Sequence, residues 1–511
     1  MSADGNEQVG AQGGEHKGTK AEHEPPAGAE RQLAWTAPGG EEMPYTARAG
    51  WMLLREKDKP VAEVFSVAYL QGSDEARPAP TGRPVTFVFN GGPGASSAYL
   101  HVGALGPRRV AFQPDGTLLP PPARLVANEQ SWLAFSDLVF IDPVGTGFSR
   151  LIDDGDAKSG DGKGGDTPDE RRFFGVKRDL ESLGEFIRRW LSANNRWGSA
   201  VFIAGESYGG FRAAKLARLL PETYGIGLTG AILISPALEW AGLEFSDYDV
   251  LPWLDRVPTM AAAAAFHGKA RPAATPEEAR TAGEEFATGE YTAFLTRGAS
   301  LSDEQRRAAV ARLAATIGLD EDFVARAEGR VGLQQFTREL LRADGRVAGL
   351  YDATITIRDP FPNRDSFEGP DPTLRGIEAV FAAGINQQLR EEIGVDTERE
   401  YLLLSFEVNQ AWKVDIERHA FELQVGATDD FRYGMSLSPH LRAFITHGRY
   451  DLVTPYYTSD RLRNLMRLGE EGERLTVRHF DGGHMFYTWD DSRQAFTAAI
   501  ADFVDAALTP A

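Results

Sequence analysis

Gly205-Glu206-Ser207-Tyr208-Gly209 sets a serine between two glycines, at the end of the apolar run VFIAG and ahead of the helical pattern FRAAKLARLL. That spacing suits a nucleophile on a sharp strand-to-helix turn, because the flanking glycines let strand and helix approach closely. A serine hydroxyl is a weak nucleophile until a base takes its proton, and the base needs an acid to fix its tautomer. Of nine histidines, His16 and His23 fall in a polar amino-terminal stretch, His267 and His419 in a helix-rich middle, and His101 and His440 away from any strand end. His447 and His479 sit within or at the end of strand patterns and read as core residues. His484 stands in the glycine-rich loop DGGHMF after the last strand pattern, free to reach the sheet edge, and is the expected base. Asp451, after the strand RAFITHG and a short GRY turn, is the expected acid. Asp481, Asp490 and Asp491 read as turn formers or helix caps, and Asp142, which precedes the serine, as turn support. Acyl transfer also needs donors aimed at a developing oxyanion. The turn Asn90-Gly91-Gly92-Pro93-Gly94 and the amide of Tyr208 are the candidates. The same turn read as a phosphate cradle would need a following Gly-Lys-Ser/Thr, which is missing.

These groups meet only if strand ends bring them to one edge. RPVTFVFN (83–90), DLVFID (137–142), SAVFIAG (199–205) and TGAILIS (229–235) are apolar on both faces and end in turns, as buried parallel strands require. VKRDLESLGEFIRRWLSANN (176–195) has helical apolar spacing between two of them. Alternating strand and helix imply a mostly parallel sheet covered on both faces, and the chain order Ser, Asp, His is that of an α/β-hydrolase fold. Upstream, WMLL and AEVFSVAYL read as paired strands. Residues 1–45 are too poor in apolar side chains to offset their ordering entropy and are expected to be a disordered tail, and 152–170 a mobile surface loop. Residues 46–236 form the first part of the hydrolase core. From 237 to 440 the rhythm breaks into helices (FATGEYTAFL, DEQRRAAVARLAATI, LQQFTRELLRA), which predicts a mainly helical inserted cap. The second part of the core, 441–511, resumes with RAFITHG and LTVRHF and closes with a helix near 491–507.

FNGGPGASS, IDPVGTGFS, GESYGG, GRYDLVTP and DGGHMF occur in the order found in the serine carboxypeptidases, which the chain resembles over about 80–235 and 440–490. The resemblance implies Ser207 as nucleophile, His484 as base and Asp451 as orienting acid, with the amides of Gly92 and Tyr208 as oxyanion hole. It implies that Asn90, Gly91 and Glu206 bind substrate, Asn90 and Glu206 by hydrogen bonds to a peptide's terminal carboxylate, and that no metal or cofactor is needed. An esterase or acyltransferase using the same triad is the alternative, and a non-catalytic binding protein on the same fold a third reading. Three positions depart from the family. Ala95 stands where a cysteine is usual, and Phe148-Ser149-Arg150 where FSY is usual. Ala104 replaces a second glutamate thought to share a proton with the one before the serine. Two close carboxylates raise one apparent pKa. With that pair broken, activity is expected nearer neutral pH, or the terminal carboxylate is gripped differently.

Composition bounds the rest. The chain has 511 residues, 42% hydrophobic and 25% charged, with 74 acidic against 54 basic side chains for a net charge of −20. Such a charge repels phosphate backbones and anionic lipids, so nucleic acid and membranes are not expected partners; peptides are the partners that the resemblance implies. No apolar run approaches the roughly 18 residues of a membrane span. The polar start MSADGNEQVGAQGGEHKGTK and the zero cysteine count lead to an expected cytoplasmic location. At about 150 residues per domain the length allows three or four, but the pattern describes one elaborated hydrolase.

Overall fold

The computed structural model describes residues 23–72, 82–152, 173–364, 366–414 and 425–509. Residues 1–22 of the expected tail, and all but the first residue of the expected 152–170 loop, lie outside the described residues.

Among the described residues the central sheet has ten strands, nine of them along its main path: β1 (Ala29–Thr36), β2 (Glu42–Glu56), β3 (Lys59–Gln71), β4 (Val85–Phe89), β5 (Asp137–Ile141), β6 (Val201–Glu206), β7 (Gly230–Ile234), β8 (Arg442–Thr446) and β9 (Leu475–Val477), with Arg150–Leu151 pairing beside β3. They lie side by side in the order β1-β2-β3-β5-β4-β6-β7-β8-β9. The last six strands of this order are mutually parallel, and β1 to β3 extend the sheet as an antiparallel meander. Every residue of β4, β5, β6 and β7 is buried, which is why their sequences are continuous apolar runs rather than alternating ones. This is an α/β-hydrolase fold with a mainly parallel central sheet.

The main helices are α1 (Val176–Ala193), α2 (Tyr208–Leu219), α3 (Val257–Phe266), α4 (Asp303–Ile317), α5 (Ile377–Asn386), α6 (Thr428–Leu437) and α7 (Asp490–Leu508). One face of the sheet is covered by Phe186 and Trp190 of α1, Phe211 and Leu216 of α2, and Phe431 and Met435 of α6. The other is covered by Ile377, Phe381 and Ile385 of α5 and Phe496, Ile500 and Phe503 of α7.

Two expected boundaries change. The tail was expected to run to residue 45, but Ala29–Thr36 pairs with β2, Ala29 opposite Ala49 and Thr36 opposite Glu42. In β1 only Trp35 is buried, so an edge strand with mostly solvent-facing side chains had no apolar run to reveal it. The 237–440 stretch is not one body either. Around α3 and α4 it has its own core, including Met260, Leu313, Ile317 and Phe336, which also takes in Tyr450 and Leu452 from the loop after β8. Yet α5 and α6 belong to the layers of the sheet itself. A helical apolar stripe announces that a surface will be covered, not which one. The alanine run of α3, far too short for a membrane, is an interior helix of the inserted core. Among the described residues no helix is long and apolar enough to cross a membrane.

The strand order creates the site. From β4 the chain moves outward to β5 and then returns to the opposite side of β4 as β6. Loops leaving β4 and β6 therefore diverge, and a crevice opens at the carboxyl ends of the strands, where open α/β sheets bind ligands.

Candidate active site

Register fixes the first contact. Phe89 pairs with Gly205, so the next residues, Asn90 and Glu206, leave neighbouring strands side by side, and Asn90 Nδ2 donates to Glu206 Oε2. Ser207 follows at φ +61° and ψ −122°, a backbone conformation that an L-residue adopts only under strain of about 1–3 kcal/mol. Its N–H donates to Ile234 O at 2.9 Å, and its carbonyl accepts from Gly210 N at 2.9 Å and Ala237 N at 3.2 Å, which hold the turn in place. A Cβ at Gly205 would stand 2.0 Å from Gly209 O, so the glycine spacing of the motif follows directly from the closeness of strand and helix.

Across the crevice, the loops after β8 and β9 bring Asp451 and His484 together. Nδ1 of His484 lies 2.7 Å from Asp451 Oδ2. Asp451 is held in turn by the amides of Val453 (2.9 Å) and Thr454 (3.0 Å) on Oδ1, and by Thr454 Oγ1, 2.7 Å from Oδ2. With the carboxylate on Nδ1, that nitrogen carries the proton and Nε2 keeps its lone pair. Burial disfavours the His484 imidazolium, but the charge and hydrogen bond of Asp451, with the charge of Glu206, outweigh it and raise the pKa above the ordinary value. Burial pushes the Glu206 carboxyl up to about 7, against the opposing pull of His484, Tyr487 and Asn90.

Ser207, His484, Asn90, Gly91, Gly92 and Glu206 line one cleft of about 110 Å³, with Tyr99, Tyr351, Leu374, Glu378, Leu404 and Met485 as further wall. Asp451 stands behind His484, and Tyr208 begins α2 under the turn. A Cβ at Gly91 would lie 2.5 Å from Tyr208 N, so the loop bearing Gly92 abuts the other expected oxyanion donor. Every residue singled out from the sequence for chemistry is thus gathered at this edge. His447 is a core residue between Thr454 O (2.9 Å) and Ser459 Oγ (2.7 Å). His479 meets Asp460 at 3.0 Å. Asp142 accepts from Ser97 N and Oγ and from the Tyr401 hydroxyl, supporting the turn under the Gly91 loop. Among the described residues, no group of three or more His, Asp or Glu side chains is arranged to hold a metal ion.

Several positioning groups had no signal of their own. Arg212 reaches back from α2 to Asn90 O at 2.5 Å while paired with Asp179 at 2.7 and 2.9 Å. Residues 402–405 clasp the loop after Asn90 through Ser96 N to Leu403 O (3.0 Å) and Ser405 N to Gly94 O (2.8 Å). Ala95, where the related family carries cysteine, is joined to Leu404 by this backbone bridge.

Residues 67–236 match the family model described as serine carboxypeptidase. That segment holds the Asn90–Gly92 loop and Ser207 but stops before Asp451 and His484. Serine carboxypeptidase-like 46 of Arabidopsis thaliana is 28% identical over 209 residues, 40% of this chain and 39% of the relative. Serine carboxypeptidase-like 28 of the same plant is 35% identical over 147 residues, 28% of this chain and 27% of the relative. The chain thus matches about a third of the length of these curated relatives. A thermostable carboxyl esterase from Bacillus coagulans overlaps at 12% identity with a TM-score of 0.35, covering 94% of this chain and 99% of that one, a likeness that carries no argument. The relatives overturn the expected cytoplasmic location, since plant serine carboxypeptidase-like proteins are typically secreted or vacuolar. The inference failed because missing cysteines and a polar start are absences, and neither reports where a protein is sent.

Proposed function

We propose that this chain, a serine hydrolase related to the serine carboxypeptidases, removes single residues from the carboxyl ends of peptides. His484 Nε2 takes the proton of Ser207 Oγ as that oxygen bonds to the scissile carbonyl carbon, and the carbonyl oxygen becomes an oxyanion facing the amides of Gly92 and Tyr208. The imidazolium gives the proton to the leaving nitrogen, the C–N bond breaks, and the departing residue leaves Ser207 acylated. Water then loses a proton to His484 and attacks the ester, and return of that proton to Ser207 Oγ frees the acid product.

The observation that favours a peptide end over other acyl substrates is the Asn90–Glu206 pair beside the nucleophile. A carboxyl group kept protonated near neutrality by burial can donate to a carboxylate, where an ionised one would repel it. The test compares a blocked dipeptide with its C-terminal amide and its ester. The free acid is expected to be cleaved at least about 100-fold faster than the amide. Equal rates on acid and amide would remove the carboxypeptidase reading, and turnover of the ester alone would leave an esterase or acyltransferase.

The pH profile follows from the same groups. Below the raised pKa of His484 the imidazolium cannot accept the serine proton, so kcat/KM falls toward acid. Above about 7 Glu206 loses its proton and repels a terminal carboxylate, so kcat/KM on free peptides falls toward alkali. The expected profile is a bell near neutrality for free peptides, with no alkaline fall for an ester lacking a free carboxylate. A sharp optimum below about pH 5 would contradict this assignment.

A further inference from the structure

We infer that Asp352, contributed by the inserted stretch, is a positioning residue that holds the His484 loop against the Asp451 loop and so sets the geometry between base and acid. The inference rests on the reading of His484 and Asp451 as a working pair.

Residues 350–353 run between the two loops and bond to both. On one side Leu452 N donates to Leu350 O at 3.1 Å and Ala353 N to Tyr450 O at 3.0 Å. These bonds bracket Asp451. On the other side His484 N donates to Tyr351 O at 2.5 Å, and Gly483 N donates to Asp352 Oδ2 at 2.9 Å. The packing leaves no slack, because a Cβ at Gly483 would stand 2.0 Å from Tyr351 O and 2.4 Å from Asp352 Cβ. The Tyr351 ring meets the imidazole edge-on, with centroids 5.4 Å apart.

Asp352 is only 4% exposed. Thr354 N (2.9 Å) and Thr354 Oγ1 (2.6 Å) donate to its Oδ1, and Trp489 Nε1 joins Gly483 N on Oδ2 at 3.3 Å. The turn at 371–373 holds the far side of the segment, since Leu350 N donates to Asp371 Oδ2 at 2.6 Å and Asp352 N to Thr373 Oγ1 at 2.9 Å. A buried carboxylate met by four neutral donors is worth burying only if all four are held, and two of those donors lie on the stretch from Gly483 to Trp489 that carries His484. Displacing a base by about 1 Å costs on the order of 100-fold in rate.

The test uses the full-length protein with Asp352→Ala and Asp352→Asn, assayed on an activated ester that reads the acyl-enzyme step whatever the natural acceptor. Asp352→Ala is expected to lower kcat about 10- to 100-fold with KM changed less than about threefold, and Asp352→Asn, which keeps an acceptor for Gly483 N, to recover most of the loss. The low-field proton resonance of His484 Nδ1–H, read in the absence of substrate, should broaden or move in Asp352→Ala and persist in Asp352→Asn. A merely structural role would not move it in a folded variant. Unchanged kcat in folded Asp352→Ala, or a loss of kcat with an unmoved resonance, would overturn the inference. Because the resonance needs no turnover, an inactive wild-type protein would sink the functional reading while this measurement still decided the role of Asp352. If Asp352→Ala does not fold, Asp352→Asn and Trp489→Phe, which removes one donor on the same oxygen, carry the test. Both should retain kcat within about tenfold, and a resonance unmoved despite a larger loss would overturn it.

Discussion

Ser207→Ala is expected to lower kcat on any acyl substrate by about a million-fold, leaving only the residual catalysis of the oxyanion donors and binding. The size of the effect comes from the division of labour at the turn. Removing Oγ removes the atom proposed to form the covalent bond, and His484, oriented by Asp451, then has no serine proton to take. The backbone that presents the position is held by Ile234, Gly210 and Ala237 rather than by the hydroxyl, so the variant should fold with the wild-type circular dichroism spectrum. Substrate affinity should survive as well, because Asn90, Glu206 and the Gly91 loop are untouched. Single-turnover assays with an activated ester check this, since wild type should show a burst of leaving group and the variant none. A variant retaining more than about a tenth of the wild-type rate would mean that Ser207 is not the nucleophile.

Asp451→Asn is expected to cost about four orders of magnitude in kcat with little change in KM. An asparagine amide in the same position, 2.7 Å from Nδ1, would offer an N–H to the imidazole where the carboxylate accepts one. The histidine would then carry its proton on Nε2, pointing a donor at Ser207 when an acceptor is needed. The two amides on Oδ1 favour this outcome, because Val453 N and Thr454 N require an acceptor at that oxygen and force the NH2 group toward His484. Thr454 Oγ1, 3.1 Å from Nδ1, can receive the Nδ1 proton but carries no charge to stabilise an imidazolium. Steady-state kinetics on the free peptide and on the ester check the prediction, and a loss below about tenfold on both would shift the acid role elsewhere.

The two predictions differ in how far their residues could be read without a fold. Ser207 lies inside a motif whose glycines, strand and helix are contiguous, so local chemistry and local geometry describe the same turn. Asp451 and His484 are marked only by their residue type and their place in loops after strand patterns. Glu206 was visible as a motif residue, but its elevated pKa was not, since burial depends on which side chains close over it.

What the sequence by itself determined was everything written in short periods and short motifs: the buried strands, the helices α1, α2 and α7, the nucleophile turn and the order of the three groups proposed to react. Strand order and register were not legible there; the fold sets them, and they open the crevice. The tertiary structure alone decided which parts of the inserted stretch serve the sheet, that Ala29–Thr36 closes its edge, and that residues 350–353 and 402–405 brace the loops around the cleft. The reason is physical. Those braces are made largely by backbone N–H and C=O groups, which nearly every residue carries, between positions far apart in the chain. No residue type or periodicity marks such a contact, so it exists only once the fold has brought the segments together.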